Sequence, residues 1–328
     1  MEWTVAIGVD THRDRHVAVA LDRFGRRLGT LEFEVSEGGF GRLLVFARGL
    51  GRPAFVVEGT GSYGASLART LLVQGLAVFE CERPERRTRS DKNDVIDAER
   101  AAWRLLAGEQ LALPRAAGAA REQLRLLLAE RRSAQQSRRQ ALNQLQAAIV
   151  TLDPPLRGQL IDLPVPRLAR SLAARRQPEL SPLHRLARRA LQLAAEIAQV
   201  DAELAALTKT LCPPLLAEHG VGVICAAQVL VSAADVSRLR RESSFAALAG
   251  VSPIEASSGP IKRHRLNRGG DRQLNWALHM TALTRIRNHP ETQRYYQHHL
   301  ARGKTKREAL RIVKRALARR LYRTLTAT

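Results

Sequence analysis

The chain has 328 residues, of which 45% are hydrophobic and only 4% aromatic, and it carries a formal net charge of +22 at pH 7. Its length and apolar fraction exclude a wholly disordered protein and allow two or three domains with helix-rich cores of Leu, Ala and Val. Residues 1–110 hold 16 basic and 16 acidic side chains, so the surplus of positive charge lies in residues 111–328. This surplus favours DNA or RNA over a membrane surface as the partner.

Residues 1–110 are predicted to form a mixed α/β domain. The apolar and alternating runs indicate three strands, then a helix, and then an alternation of strands and helices. The predicted strands are 3–10, 16–22, 27–35, 53–59 and 76–82, and the predicted helices are 37–50, 62–75 and about 94–107. This order is that of a ribonuclease-H-like sheet.

Residues 111–210 are predicted to form a central helical segment. Two long Leu/Ala-rich stretches crowded with Arg, 121–152 and 181–211, are separated by prolines. Apolar positions such as Leu124, Leu128 and Leu145 suit an antiparallel hairpin or a coiled coil. A dimerisation arm and a plain helical spacer are both open.

Residues 211–328 are predicted to form a compact helical domain. It begins with two apolar helices around Gly220-Val221-Gly222. Such a turn is typical of a helix-hairpin-helix, in which backbone N–H groups approach a phosphate, but it also suits an ordinary helix–turn–helix core element. Basic stretches at 131–139 and 303–323 are predicted to contact nucleic-acid phosphates or to form solvated helix faces.

Cysteine usage and the first residues favour a cytoplasmic, nucleoid-associated protein. Cys81, Cys212 and Cys225 are scattered and lack CxxC spacing, so neither a disulfide framework nor a zinc site is indicated. The opening "MEWTVAIGVD" has no apolar stretch of signal-peptide length.

Four carboxylates are predicted to converge. Asp10 and Glu58 each end an apolar strand run, and the carboxyl ends of parallel strands meet at one edge of a sheet. Asp94 and Asp97 lie three apart at the start of a helix, hence on one face. Clustered carboxylates need a compensating cation, and oxygen ligands favour Mg²⁺ or Mn²⁺.

Each acid also has an ordinary interpretation. Aspartate at the end of a strand is frequently a turn residue, and acids in the first turn of a helix complement its dipole. Asp91 precedes the helix and is expected to be a cap or a solvated acid. The combination of four acids in this order of elements favours the metal site, where two cations could clamp the oxygens of a phosphodiester displacement.

Three stretches together resemble the DEDD transposases of insertion sequences. They are "GVDTHRDRHVAVALD", "VVEGTGSYGASLARTL" and "DKNDVIDAERAA". The resemblance covers nearly the whole chain and implies a RuvC-like catalytic domain over 1–110, a coiled-coil or dimerisation segment over 111–210 and a transposase domain over 211–328. It also implies that the metal-binding acids are Asp10, Glu58, Asp94 and Asp97.

A second signature resembles the serine-carrying part of the same family. The stretch "FAALAGVSPIEASSGPIKRHRLNRGGDRQLNWAL" contains Gly259 where the family has a glycine directly after its nucleophilic serine. The resemblance therefore implies Ser258 as the catalytic nucleophile. Ser257 is adjacent and is the alternative.

The resemblance implies a reaction and partners. DNA would be cleaved, held as a phosphoserine, exchanged through a four-way junction and religated by a homodimer or homotetramer with a composite site. In some relatives a structured bridge RNA selects the DNA. Three other hypotheses stay open: a site-specific DNA invertase of the same superfamily, a metal-dependent junction nuclease that uses water, and a non-catalytic nucleic-acid binder.

Overall fold

The structure is a computed structural model that describes residues 3–81, 93–114, 118–175, 177–234, 236, 239, 241–255, 264–265 and 267–327. The chain divides into two compact units, Met1–Ala117 and Gly118–Thr328. The first is α/β and the second is mostly helical, which confirms the predicted combination of fold classes. Within the described part of the chain, no helix has both the length and the apolar character needed to cross a bilayer.

A five-stranded sheet forms the centre of the first unit. Its strands are β1 (Val5–Thr11), β2 (Arg15–Asp22), β3 (Arg27–Glu34), β4 (Pro53–Glu58) and β5 (Ala77–Cys81). The spatial order is β3-β2-β1-β4-β5, in which β2 is antiparallel to both neighbours and β4 is parallel to β1 and β5. The order of strands and helices along the chain is the one that the hydrophobic pattern predicts.

Three helices cover the sheet: α1 (Glu37–Leu50), α2 (Ala65–Val73) and α3 (Asp94–Leu106). The Ser36 hydroxyl accepts a hydrogen bond from Gly39 N and caps α1. The Asn93 side chain accepts from Val95 N at 3.0 Å and caps α3. Asn93 is therefore the N-cap residue, and Asp91, expected to be a cap or a solvated acid, lies outside the described residues.

The two faces of the sheet bury different helices because strand side chains alternate in direction. Ile7 of β1 joins the cluster formed with α1 and α2. Ala6 of β1 joins Ala98 and Ala102 of α3 on the opposite face. Even-numbered positions of β1, including Asp10, therefore face the side of the sheet that α3 covers.

An antiparallel pair of long helices begins the second unit. The helices are α4 (Ala119–Val150) and α7 (Ser181–Leu211). Leu124 near the start of α4 clusters with Leu204 near the end of α7. At the other end of the pair, Ile149 clusters with Leu183. An antiparallel hairpin was one of the two predicted arrangements, and its use as a coiled coil for dimerisation stays a prediction.

Shorter helices complete the second unit. They are α5 (Pro154–Leu160), α6 (Val165–Ala174), α8 (Pro213–Ala217), α9 (Val223–Ala233), α10 (Glu242–Leu248), α11 (Arg272–Asn288), α12 (Pro290–Ala301) and α13 (Lys306–Thr326), with a 3₁₀ turn at Pro178–Leu180. Two short antiparallel strands, β6 (Ile254–Glu255) and β7 (His264–Arg265), pair with each other. They flank the segment that contains Ser257 and Ser258, which lies outside the described residues.

The Gly220-Val221-Gly222 turn packs against α11. Gly220 has φ +79°, and a Cβ added there would lie 3.0 Å from Arg285 Cγ. The buried Arg285 donates from Nη1 to His219 O at 3.0 Å and from Nε to Thr292 Oγ1 at 3.2 Å. The glycine thus serves packing within the unit, and a phosphate-binding role for the turn stays a prediction.

A buried lysine joins three helices of the second unit. Lys314 of α13 is 7% exposed and donates from Nζ to Asn275 Oδ1 of α11 at 2.6 Å. Asn275 Nδ2 in turn donates to Ala249 O, just after α10, at 2.7 Å. Burial lowers the pKa of Lys314 to about 8, and the positive charge of Arg311 adds to the decrease.

This lysine predicts a pH-dependent stability. Because the folded pKa of about 8 lies below the unfolded value, the unfolded chain binds more protons between the two, and the free energy of unfolding rises with pH in that window. We expect the wild type to gain about 2 kcal/mol from pH 7 to 9.5 relative to Lys314→Met. Urea denaturation of both proteins at each pH measures this difference, and parallel pH profiles would contradict it.

Candidate metal centre

Two adjacent parallel strands bring Asp10 and Glu58 to the same edge of the sheet. Val9 of β1 pairs with Val57 of β4, so the two acids occupy the next positions on their strands. Thr11 Oγ1 donates to Glu58 O at 2.9 Å and ties the strand ends together. Asp10 is 6% exposed, and Glu58 is half-buried.

A glycine sets how closely α3 approaches β1. A Cβ added at Gly8 would lie 1.9 Å from Ala98 O and 2.5 Å from Ala102 N. Any side chain at this position would therefore push the helix away from the strand. Since Gly8 and Asp10 point to the same face, the close packing also carries Asp94, the first residue of α3, towards Asp10.

Three side chains meet at this edge. His12 Nε2 lies 3.2 Å from Asp10 Oδ2 and 3.2 Å from Asp94 Oδ2. One ligand atom from each of the three residues lies within 4.8 Å of the others. His12 Nε2 is buried and makes no hydrogen bond within the described part of the chain. An imidazole nitrogen and two carboxylate oxygens this close together suit a divalent cation.

The electrostatics of Asp10 include the charges of the other two predicted acids, Glu58 and Asp97. Burial raises the pKa of Asp10 above its ordinary value, and His12 opposes this increase. The negative charges of Glu58, Asp94 and Asp97 each raise the pKa further. The other three carboxylates therefore lie within electrostatic reach of Asp10, and a cation would offset their repulsion of its charge.

The predicted site residues have different placements. Ligand atoms of Asp10 and Asp94 lie close to His12. Glu58 and Asp97 are not in this group, but their negative charges raise the pKa of the Asp10 carboxyl. Asp97 Oδ1 accepts from Arg100 Nη1 at 3.2 Å. Ser258 and the alternative Ser257 are outside the described residues.

His12 is the member of the cluster that the sequence reasoning missed. It follows Asp10 by two positions, so the two-residue period of a strand could have placed both on one face. The His12 N–H donates to His16 Nδ1 at 3.2 Å. The buried His16 ring packs edge-on against Phe33 and stacks on Phe40, so the backbone of His12 is attached to the core of the unit.

Comparisons with known protein families agree with this geometry. The model of a DEDD transposase domain of the IS110 type matches residues 7–154, which include the acidic cluster. The model described as "Transposase IS116/IS110/IS902 family" matches residues 213–297. The two matched regions are those of a DEDD-type transposase. The chain belongs to the IS110 family of insertion-element transposases.

Two curated relatives belong to insertion elements. The chain is 36% identical over 151 residues to the insertion element IS110 43.6 kDa protein of Streptomyces coelicolor, covering 46% of this chain and 33% of the relative. It is 31% identical over 147 residues to the insertion element IS900 42 kDa protein of Mycobacterium paratuberculosis, covering 44% and 36%. The matched part thus spans about a third of the length of each relative.

The packing at Gly8 predicts that a single methyl group will disturb the site. Gly8→Ala should lower the free energy of unfolding by about 1–3 kcal/mol through overpacking and weaken Mn²⁺ binding about tenfold or more by moving Asp94. Gly41→Ala is the matched control, since a Cβ at this position of α1 meets nothing within 4 Å. Denaturation and Mn²⁺ titration by electron paramagnetic resonance test both variants, and an unchanged Mn²⁺ affinity in Gly8→Ala would contradict the positioning role.

Proposed function

We propose that this chain is a DNA transposase that cuts and rejoins DNA at a metal centre held by Asp10, Glu58, Asp94 and Asp97. The observation that carries the proposal is the meeting of Asp10, His12 and Asp94 at the carboxyl end of β1. The matches to transposase family models on both sides of residue 200 support it. The RuvC-like assignment of residues 1–110 rests on the sheet order and on the first of these models.

The side chains of the cluster fit Mg²⁺ or Mn²⁺. Carboxylate oxygens are preferred ligands of both ions, and the imidazole nitrogen of His12 suits Mn²⁺. A bound cation would polarise the phosphodiester and stabilise the charge that develops on its oxygens. The protein would have to aim the carboxylates at one point. The hydrogen bonds from Thr11 Oγ1 to Glu58 O and from the His12 N–H to His16 Nδ1 support this by fixing the backbone beside Glu58 and Asp10.

Ser258 would supply the nucleophile. Its Oγ would form a bond to phosphorus while the bond from phosphorus to the leaving deoxyribose oxygen breaks, and that oxygen would take the serine proton. One phosphate ester replaces another, so the reverse attack by a deoxyribose hydroxyl can rejoin DNA without ATP. The resemblance to the family also leads us to propose that the protein acts as a homodimer or homotetramer.

The basic part of the chain would bind the nucleic acids. Residues 111–328 carry the whole net charge, which suits binding to phosphates of any sequence. Few aromatic side chains are present to stack on bases. This division favours a bridge RNA that selects the DNA while the protein grips backbones. The helical arm would lie in residues 111–210, and the serine would lie in the transposase domain, residues 211–328.

Two alternatives keep parts of the same chemistry. A site-specific invertase would use the acids and Ser258 on inverted sites. A junction nuclease would use the described cluster with water as the nucleophile and would have no need of Ser258. The end of the cleaved DNA distinguishes the invertase from the nuclease. Only a serine mechanism leaves the protein attached to the 5′ or 3′ phosphate.

The first test removes one carboxylate. Asp10→Asn should abolish strand cleavage and weaken Mn²⁺ binding while DNA binding is retained, because binding rests on the basic second unit. Asp14→Asn is the control, as Asp14 is exposed and pairs with Arg13. Cleavage of labelled DNA carrying element ends and a filter-binding assay measure the two properties. Cleavage by Asp10→Asn at the wild-type rate would refute the metal centre.

The second test concerns the nucleophile. Ser258→Ala should remove both recombination and the covalent protein–DNA adduct, whereas Ser257→Ala should keep at least part of both. Denaturing gels of labelled DNA after proteinase-free quenching detect the adduct. An adduct that persists in Ser258→Ala and disappears in Ser257→Ala would move the nucleophile to Ser257. Cleavage without any adduct in the wild type would favour the water-dependent nuclease.

A further inference from the structure

The helical hairpin of the second unit contains a cavity of about 390 Å³. Most of its wall is one face of α4, where the lining residues recur every three or four positions. The opposite wall comes from α6 and α7. The lining residues are Gln135, Arg138, Arg139, Leu142, Asn143, Gln146, Val165 and Ile197.

The charge of this cavity is positive and uncompensated. Arg138 and Arg139 line it, and none of the lining residues is acidic. Arg138 Nε is buried and has no hydrogen-bond partner among the residues that the structure describes. Arg131, two turns earlier on α4, is instead paired with Asp201 of α7. Val165 is the first residue of α6, so the positive end of that helix dipole borders the cavity.

The remaining lining residues divide into amides and apolar side chains. Gln135, Asn143 and Gln146 each offer both hydrogen-bond donors and an acceptor. Leu142 and Ile197 provide an apolar surface. A small inorganic anion would use only the arginines, whereas a nucleotide has a phosphate for the arginines, polar base edges for the amides and a flat apolar face for the aliphatic side chains.

We propose that this cavity binds one unpaired nucleotide of a nucleic-acid strand. Arg138 and Arg139 hold its phosphate, and the base lies against Leu142 and Ile197 with its edge towards the amides. The volume lies in the range of sites for ligands of that size. This inference rests on the proposed function, because it assumes that the protein binds nucleic acid. It adds that the helical hairpin recognises a single-stranded, locally unstacked part of it.

Binding assays with matched variants test the cavity. The probes are fluorescent single-stranded oligonucleotides of one sequence as RNA and as DNA, and a blunt DNA duplex without unpaired bases. Arg138→Gln/Arg139→Gln should weaken binding of at least one single strand about tenfold. The control is Arg188→Gln/Arg189→Gln, which removes the same charge from an exposed part of α7 outside the cavity and should cost less than about threefold.

A second pair of variants keeps the arginines. Gln135→Glu places a carboxylate in the cavity with almost no change in shape, so it should weaken single-strand binding as well. Gln192→Glu is its control, since Gln192 is exposed on α7 and lies one turn from Arg188 and Arg189. Photocrosslinking with 4-thiouridine or 4-thiothymidine, followed by mass spectrometry, should locate the base on peptides that contain Leu142 or Ile197.

The outcomes separate this proposal from the proposed function. Equal losses in cavity and control variants, or crosslinks that avoid both peptides, would overturn the cavity while leaving DNA cleavage by the wild type intact. Wild-type protein that cleaves no DNA but binds single strands through the cavity would overturn the transposase and leave the cavity standing. Comparing the RNA and DNA oligonucleotides identifies which kind of strand is bound. If the cavity variants weaken binding of the DNA duplex only, the proposal is also overturned.

Discussion

The contact between Gly8 and α3 is the constraint on which the metal centre depends. Carboxylates that repel one another do not gather spontaneously. The raised pKa of Asp10 records first the cost of burying its carboxyl and then the smaller effect of the negative charges of Glu58, Asp94 and Asp97. The cost is offset by close packing, because Ala98 and Ala102 of α3 lie against the glycine and join an apolar cluster on that face of the sheet. The packing of an uncharged helix–strand contact thus fixes the position of Asp10, two residues from Gly8, and of Asp94, four residues from Ala98, in keeping with rigid elements that preorganise a site.

Most of the first unit follows from local patterns. Helix α1 begins and ends where its amphipathic run does, because Ser36 caps it and Gly51, with φ +139°, ends it. The predicted proximity of Asp10 and Glu58 uses the pattern of the strands, since the carboxyl ends of neighbouring parallel strands share an edge of the sheet. His12 shares the two-residue period of the strand with Asp10, but it was missed because the site was predicted from carboxylate oxygen ligands alone. The closeness of the contact at Gly8 also cannot be predicted from the sequence, because it depends on which backbone atoms lie opposite the glycine in the fold.

The second unit shows a different limit of sequence reasoning. The stretch 303–323 looks like a continuous basic face, yet Lys314 is buried against Asn275, and Arg319 and Arg320 are paired with Glu242 and Glu218. A periodic row of basic residues cannot by itself tell which of them meet acids from distant parts of the chain. Several charges that the sequence assigns to a nucleic-acid face therefore stabilise contacts among the helices, and binding must rest on those that stay unpaired.

This distribution bears on how an acidic site can act on a polyanion. The first third of the chain is electrically neutral, but Glu58, Asp94 and Asp97 lie within electrostatic reach of Asp10, so this edge of the sheet by itself would repel a phosphodiester. The surplus of 22 positive charges lies in the rest of the chain and would supply the attraction to a polyanion that the carboxylates of the candidate site oppose. Separating the two roles lets each be optimised without the other: ionised acids close together for a cation, and basic helices for the strand. Acids placed among the basic helices are instead paired with arginine, as Asp201, Glu218 and Glu242 are, and the guanidinium groups there would compete with a metal for the carboxylate oxygens.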